Sequence, residues 1–243
     1  KKYLLTLLVA ATTIILVGCT TNNQKEKSTE KQLKTGIQNV IEYKSNGKAV
    51  KDKSVLGDNV LIFSPKDDAS DIQKKLDEIY NIQERNQFGD ERYAIAFMPG
   101  DYGKSLQVNV GYYTQVLGLG VLPTDTNINK LWVDASWMNH NATCNFWRGA
   151  ENFSINEYCM WANSQAVSLR RINSEDGIVL SDGEGWSSGG FMADSKFNGN
   201  VSSGSQQQYL CRNDEWNYWE GGVWNMVFTG VRTSIIPQGP WPY

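Results

Sequence analysis

The sequence is poor in the residues that build metal and redox sites. It contains one histidine, His140, and no Cys-x-x-Cys pair among 243 residues. Its cysteines are Cys19, Cys144, Cys159 and Cys211. Their wide spacing fits neither a structural zinc site nor a disulfide framework. We predict that the last three are buried as small apolar residues, with one disulfide and a leftover thiol as the alternative. No metal and no other cofactor is implied.

Long basic runs are also missing. The chain carries 23 Lys and Arg against 26 Asp and Glu, a formal net charge of −3. Past the first two lysines, no stripe of positive charge suits a phosphate backbone. Nucleic acid is therefore not an expected partner.

Helix signals are scarce, and one segment supplies the clear example. "SDIQKKLDEIYNIQERNQ" at 70–87 places apolar residues at helical spacing, with Ser70 as the predicted N-cap and Gln73 completing a capping box. The predicted buried face comprises Ile72, Leu76, Ile79 and Gln83. A short strand, "NVLIFSP", precedes this helix, and "YAIAFMPGDY" at 93–102 follows it.

The N-terminal segment has the pattern of a bacterial lipoprotein signal. Two lysines precede an apolar stretch that is too short to span a membrane, and "LVGC" at 16–19 resembles a lipobox. We predict a signal peptide at 1–18, lipidation of Cys19 and a flexible tether at 19–54. This places the protein on the extracellular face of the bacterial cell membrane. A plain signal peptide with an incidental cysteine is the alternative.

From residue 104 onward, short apolar segments alternate with Gly, Asn, Asp and Ser, and no long helix interrupts them. A weak period links Asn152, Ile172, Ser195 and Gly230, with one longer excursion before the last. Such a period is typical of a solenoid. We predict an all-β fold, a right-handed parallel β-helix at 55–236, with the N-terminal helix covering its first turn. Glutamines in "GSQQQYL" are predicted to pair along the stack.

Several segments carry a family resemblance. "DIQKKLDEI" followed by "AIAFMPGDY" resembles the cap and first coil of pectate-lyase-superfamily β-helices. "VGYYTQVLGLG", "FWRGAENFSI" and "GVWNMVFTGV" resemble the N-terminal half of bacterial proteins related to glycoside hydrolase family 55, the exo-β-1,3-glucanases. This resemblance implies two β-helices side by side, with sugar bound where they meet and a catalytic glutamic acid in the second.

The segment 237–243 resembles the start of the linker between those halves. We therefore expect the family's catalytic acid to lie outside this sequence, and a second β-helix domain or chain is a candidate partner. We assign no catalytic residue in this sequence. Carboxylates available in this chain are Glu151, Glu175, Asp182, Glu184, Asp194, Asp214, Glu215 and Glu220. "GWSSG" at 185–189 matches a nucleophile elbow, but we reject it because no histidine follows.

Aromatic residues in Gly- and Asn-rich loops give the best binding signal. An indole stacks on the apolar face of a pyranose ring, and neighbouring amides and carboxylates bond its hydroxyls. The predicted sugar-binding residues are Trp186, Gln206, Gln208, Trp216, Trp219, Trp224, Asp182 and Glu184. The alternative for each Trp is burial over the solenoid core, and the Asp182–Glu184 pair is an alternative calcium ligand set.

Composition and resemblance together predict a cell-surface lipoprotein that binds or helps to process polysaccharide, with β-1,3-glucan as the expected sugar. A non-catalytic adhesion module is the second hypothesis. A polysaccharide lyase using Arg170 and Arg171 is the third.

Overall fold

A computed structural model describes residues 56–221 and 225–234. The predicted signal peptide, Cys19 and the tether lie outside these residues, as do Trp224 and the linker-like tail. Within the described part, no helix is long and apolar enough to cross a membrane. The lipid anchor and the bounds of the predicted domains stay predictions.

The described residues form one α-helix, α1 (Ala69–Gln83), and a series of short strands. The strands are β1 (Val60–Phe63), β2 (Tyr93–Phe97), β3 (Gly100–Asp101), β4 (Gln107–Asn109), β5 (Thr114–Gly118), β6 (Thr126–Ile128), β7 (Lys130–Val133), β8 (Arg148–Ile155), β9 (Cys159–Trp161), β10 (Val167–Ser174), β11 (Ile178–Val179), β12 (Phe191–Ala193), β13 (Lys196–Phe197), β14 (Val201–Ser202), β15 (Gln208–Arg212), β16 (Trp219–Glu220) and β17 (Asn225–Thr229). Three 3₁₀ turns lie at Pro123–Asp125, Ser136–Met138 and Ala142–Cys144.

The strands form two parallel sheets that wind as a solenoid. The first sheet has eleven strands, and its main order is β1-β2-β5-β8-β10-β12-β15-β17. The second has six, in the order β16-β14-β11-β9-β7-β4. Each turn contributes to both sheets, and about six turns are present. The prediction of a right-handed parallel β-helix is confirmed.

The core is built from columns of inward side chains that the register aligns. One column of the first sheet runs through Leu61, Ile95, Val116, Ala150, Leu169, Met192, Cys211 and Phe228. All but Phe228 are buried. Stacking of apolar side chains between turns removes them from water, which is the main stabilising term of such a fold.

Successive turns bend at an equivalent position, where the backbone is left-handed. Asn152, Arg171, Asp194, Asn213 and Gly230 all have positive φ, between 51° and 66°. The turn through Asn213 shows that the expected excursion between Ser195 and Gly230 is wrong, because a complete turn lies there. The longest connection instead runs from β7 to β8.

Helix α1 covers one end of the second sheet. Its N-cap is Asp68, whose carboxylate accepts hydrogen bonds from the N–H groups of Ser70 and Asp71, so the prediction of Ser70 as the cap is wrong by two residues. The predicted buried face is confirmed, since Ile72, Leu76, Ile79 and Gln83 are buried. The helix therefore closes the core at β4, as expected of a cap.

Candidate functional site

Four of the predicted sugar-binding residues, Asp182, Glu184, Trp186 and Gln206, lie on one side of the solenoid, and Gln208 begins the strand that follows. Five described connections lead there from the second sheet to the first: 110–113 before β5, 134–147 before β8, 162–166 before β10, 180–190 before β12 and 203–207 before β15. We call this set of connections the entry corner. Because the solenoid stacks these connections on successive turns, residues far apart in sequence become neighbours.

Trp186 is presented to solvent at this corner. Its side chain is 63% exposed, while its carbonyl accepts a hydrogen bond from Ala142 N–H at 2.8 Å. A cleft of about 680 Å³ lies between residues 138–141 and 182–186. Glu184 is exposed and lines the same cleft. Trp186 and Glu184 are therefore placed where a ligand can reach them.

Asp182 supports the cleft from beneath. It is 7% exposed. Its Oδ2 accepts the N–H of Ala135 at 2.8 Å and lies 3.0 Å from His140 Nδ1. Asn139 and His140 have φ of 50° and 66°, in the left-handed region that Asn and His adopt more readily than most residues. A Cβ on Gly185 would overlap the His140 carbonyl, so the two loops fit together only with glycine there.

Gln206 holds the corner internally. Its Nε2 donates to the carbonyls of Asn163 at 2.8 Å and Leu180 at 2.7 Å, and its Oε1 accepts the N–H of Gly189 at 2.9 Å. The side chain is fully buried. Its amide bonds main-chain groups of two earlier connections, so the expected pairing between glutamines is not how it is satisfied. Gln208 is exposed and borders Gly189.

Trp216 and Trp219 belong to the core. Each is 3% exposed, and their rings pack against each other and against Phe228 with centroids 4.9–5.6 Å apart. Burial of these two rings matches the alternative weighed for every Trp. Trp224 lies outside the described residues. The surface-exposed members of the predicted set are thus Trp186, Glu184 and Gln208.

Several of the remaining carboxylates form ion pairs between neighbouring turns of the solenoid. Asp194 pairs with Arg212 at 3.2 Å, Glu215 with Lys196 at 3.2 Å, and Glu151 with Arg170 at 3.6 Å. Such surface pairs contribute little individually. Arg171 bonds Asn152 and the carbonyl of Val121, so the two arginines named for a lyase are engaged on neighbouring turns.

Asp214 is the exception in its electrostatics. It is fully buried, and its carboxylate accepts the N–H groups of Ser195 at 2.9 Å and Arg212 at 3.1 Å. Burial raises the pKa of Asp214 to about 7, although the two N–H donors oppose that shift. Among the described residues, no group of three or more His, Cys, Asp or Glu side chains is arranged to hold a metal ion.

Sequence reasoning missed two features of this corner. Gln165 Nε2 donates to Ser188 Oγ at 3.1 Å, linking two connections. Tyr113 and Trp147 stack with centroids 5.3 Å apart and an interplanar angle of 15°. Both rings directly precede strands, in "YYTQ" and "FWRG", which is the available signal. The long connection between them hides their shared register.

Comparison with known proteins gives a consistent result. No protein-family model matches the chain. An exo-β-1,3-glucanase from Streptomyces sp. (strain SirexAA-E / ActE) is 46% identical over 192 residues, which is 77% of this chain and 31% of that protein. Two solved structures of sacteLam55A from Streptomyces sp. SirexAA-E match with TM-scores of 0.72 and 0.73 and 44% identity. One is of a variant in complex with glucose.

Each structural match covers 79% of this chain and 35% of the other. The chain thus spans about a third of the length of the proteins it matches. The resemblance to the N-terminal half of a family 55-like exo-β-1,3-glucanase is confirmed over this β-helix.

Proposed function

We propose that this β-helix binds β-1,3-glucan at its entry corner, as a cell-surface lipoprotein anchored through Cys19. The single observation that carries the glucan proposal is the 46% identity to an exo-β-1,3-glucanase over 192 residues. A glucose complex of a matching structure supports a carbohydrate ligand. The lipid anchor rests on the "LVGC" pattern alone.

The exposed chemistry of the corner supports this proposal. Trp186 offers an apolar ring face in a cleft that also contains Glu184, and Gln208 and Gln165 add amides nearby. Apolar faces with a few placed polar groups are the usual composition of ligand sites. Asp182, which also lines the cleft, and Gln206 are buried and hold this surface in place.

We propose that hydrolysis of glucan requires this β-helix together with a second β-helix domain or chain. The family resemblance implies that the catalytic acid lies in a second β-helix. The chain spans about a third of the length of the relatives that it matches. We therefore expect the β-helix described here to bind glucan and to release glucose only together with such a domain or chain. Release of glucose by this β-helix alone would overturn that division of roles.

Affinity electrophoresis with laminarin in the gel tests the binding. We expect the protein to be retarded and Trp186→Ala to be retarded less. Tyr158→Ala is the matched control, because Tyr158 is a 41% exposed aromatic in the connection between β8 and β9, away from the entry corner. Migration of the wild type unchanged by laminarin would contradict the proposal and would favour the adhesion hypothesis.

A further inference from the structure

A ladder of planar side chains runs along the start of the first sheet. Arg92, Tyr113 and Trp147 directly precede β2, β5 and β8, whose first residues are aligned by the strand register. The Arg92 guanidinium lies 3.4 Å from the centre of the Tyr113 ring, and Trp147 stacks on the same ring. Arg92 and Trp147 therefore lie on either side of Tyr113.

The ladder is held in place by unusual backbone. Tyr113 and Trp147 have φ of 52° and 47°, which is a strained region for bulky residues. The Tyr113 hydroxyl donates to the carbonyl of Gln87 at 2.7 Å, and Arg92 Nη1 donates to the carbonyl of Gly89 at 2.9 Å. These contacts fix the stack before any ligand binds.

The stack ends where the next turns carry small residues. Alignment of β8 with β10 places Ala166 after Trp147, and alignment of β10 with β12 places Gly189 after Ala166. Their φ values are 57° and 97°. Trp147 is 45% exposed. One face of its indole is covered by Tyr113, which leaves the face toward Ala166. Trp147 and Ala166 both line a cleft of about 720 Å³, which also extends past Tyr113 and Arg92.

Polar groups flank this open indole face. Gln115, Gly149 and Ser168 form the adjoining outward column of the sheet. The Gln115 amide lies across Gly149, where a Cβ would overlap its Oε1. Gln115 and Ser168 line the same cleft as Trp147, which therefore contains an amide and a hydroxyl beside the indole.

We propose that a glucose ring of a β-1,3-glucan chain binds on the free face of Trp147, above Ala166, with Gln115 and Ser168 bonding its hydroxyls. This second sugar contact rests on the proposed glucan binding and adds a site to the Trp186 cleft. The hydrogen bond between Gln165, which precedes Ala166, and Ser188, two residues after Trp186, places both sites on one corner. A single glucan chain long enough to cross the corner engages both.

Titration calorimetry with a laminari-oligosaccharide of six glucose units tests this site. Trp147→Asn removes the ring and keeps a residue that tolerates positive φ. Ala166→Asn keeps the ring and fills the space beside it. Each is expected to weaken binding about three- to tenfold, the scale of one aromatic stacking contact. Tyr158→Ala is the control and is expected to bind like the wild type.

The outcomes separate this inference from the proposed function. Loss of binding in Trp186→Ala, with wild-type affinity in both Trp147→Asn and Ala166→Asn, overturns the second site alone. If Trp147→Asn does not fold, Ala166→Asn decides. If the wild type binds no laminari-oligosaccharide, both proposals fall. A cello-oligosaccharide of equal length, bound as tightly and equally weakened by both variants, would overturn the assignment to β-1,3-glucan.

Discussion

The side chain of Gln73 pairs with the backbone of Gln107 through both of its polar atoms. Nε2 donates to the Gln107 carbonyl at 3.0 Å, and Oε1 accepts the Gln107 N–H at 2.9 Å. The Gln73 amide on α1 thus makes the two backbone hydrogen bonds that a neighbouring strand would otherwise make with β4. An edge strand that would otherwise expose its backbone is thereby satisfied within the chain.

Gln73→Ala is expected to lower the free energy of unfolding by about 1–3 kcal/mol, because it leaves two backbone groups of Gln107 without partners. Urea denaturation followed by circular dichroism measures this change. Lys74→Ala on the exposed side of the same helix is the control. Equal stability of the two variants would show that water replaces the amide without loss.

Asn152 combines two roles that substitution can separate. Its Nδ2 donates to the carbonyls of Gly118 at 2.9 Å and Gly120 at 2.7 Å, and its φ is 66°. Asn152→Gly removes the hydrogen bonds and keeps the backbone unstrained. Asn152→Ala removes both benefits and is expected to be roughly 1 kcal/mol less stable than the glycine variant. Thermal unfolding compares the two, and an alanine variant as stable as the glycine variant would contradict the strain.

Asp214 is expected to make stability pH-dependent. Its folded-state pKa of about 7 lies above the unfolded value of about 3.9. The folded state therefore favours the neutral acid. The contribution of the neutral acid to the free energy of unfolding is fully present below about pH 4 and is lost as the pH rises to about 7.

Asp214→Asn carries no charge at any pH, so its free energy of unfolding is expected to fall less than that of the wild type between pH 4 and pH 8. The expected difference between the two slopes is on the order of a few kcal/mol over this range. Urea titrations at several pH values provide the measurement. Parallel curves for the two proteins would indicate that Asp214 is ionised throughout this range.

The thiols of Cys159 and Cys211 are expected to be unreactive in the folded protein. Both are free and fully buried, and burial raises the pKa of each thiol. Cys144 is half-buried and serves as the internal comparison. Iodoacetamide labelling followed by peptide mapping should modify Cys144 first and the other two only in denaturant. Rapid native labelling of Cys211 would indicate opening of the last turns.

The fold was largely accessible from the sequence because its signals are local. The helical face ending at Gln83 depends on the spacing of apolar residues within the helix itself. The exact period was not accessible, because turns differ in length and the residues at the left-handed bend differ in type. Asn213 occupies that bend as well as Asn152 does, yet its turn was missed.

The candidate site was only partly accessible. Trp186 is exposed, as predicted for a binding residue, while Trp216 and Trp219 are buried, and composition alone does not separate these cases. Whether an indole points into the stack depends on the register of its strand. That register also brings Tyr113 onto Trp147, across a connection that no local pattern bridges.

The buried side chain of Gln206 links two connections of the entry corner, one of which contains Trp186. The Gln206 side-chain amide is hydrogen-bonded to the backbone of Asn163, Leu180 and Gly189. Local unfolding at any of these positions therefore requires that a buried hydrogen bond break. The backbone amide proton of Gly189 should therefore exchange with deuterium among the slowest of any loop position. A receptor surface rigid in this way loses little conformational entropy when sugar arrives.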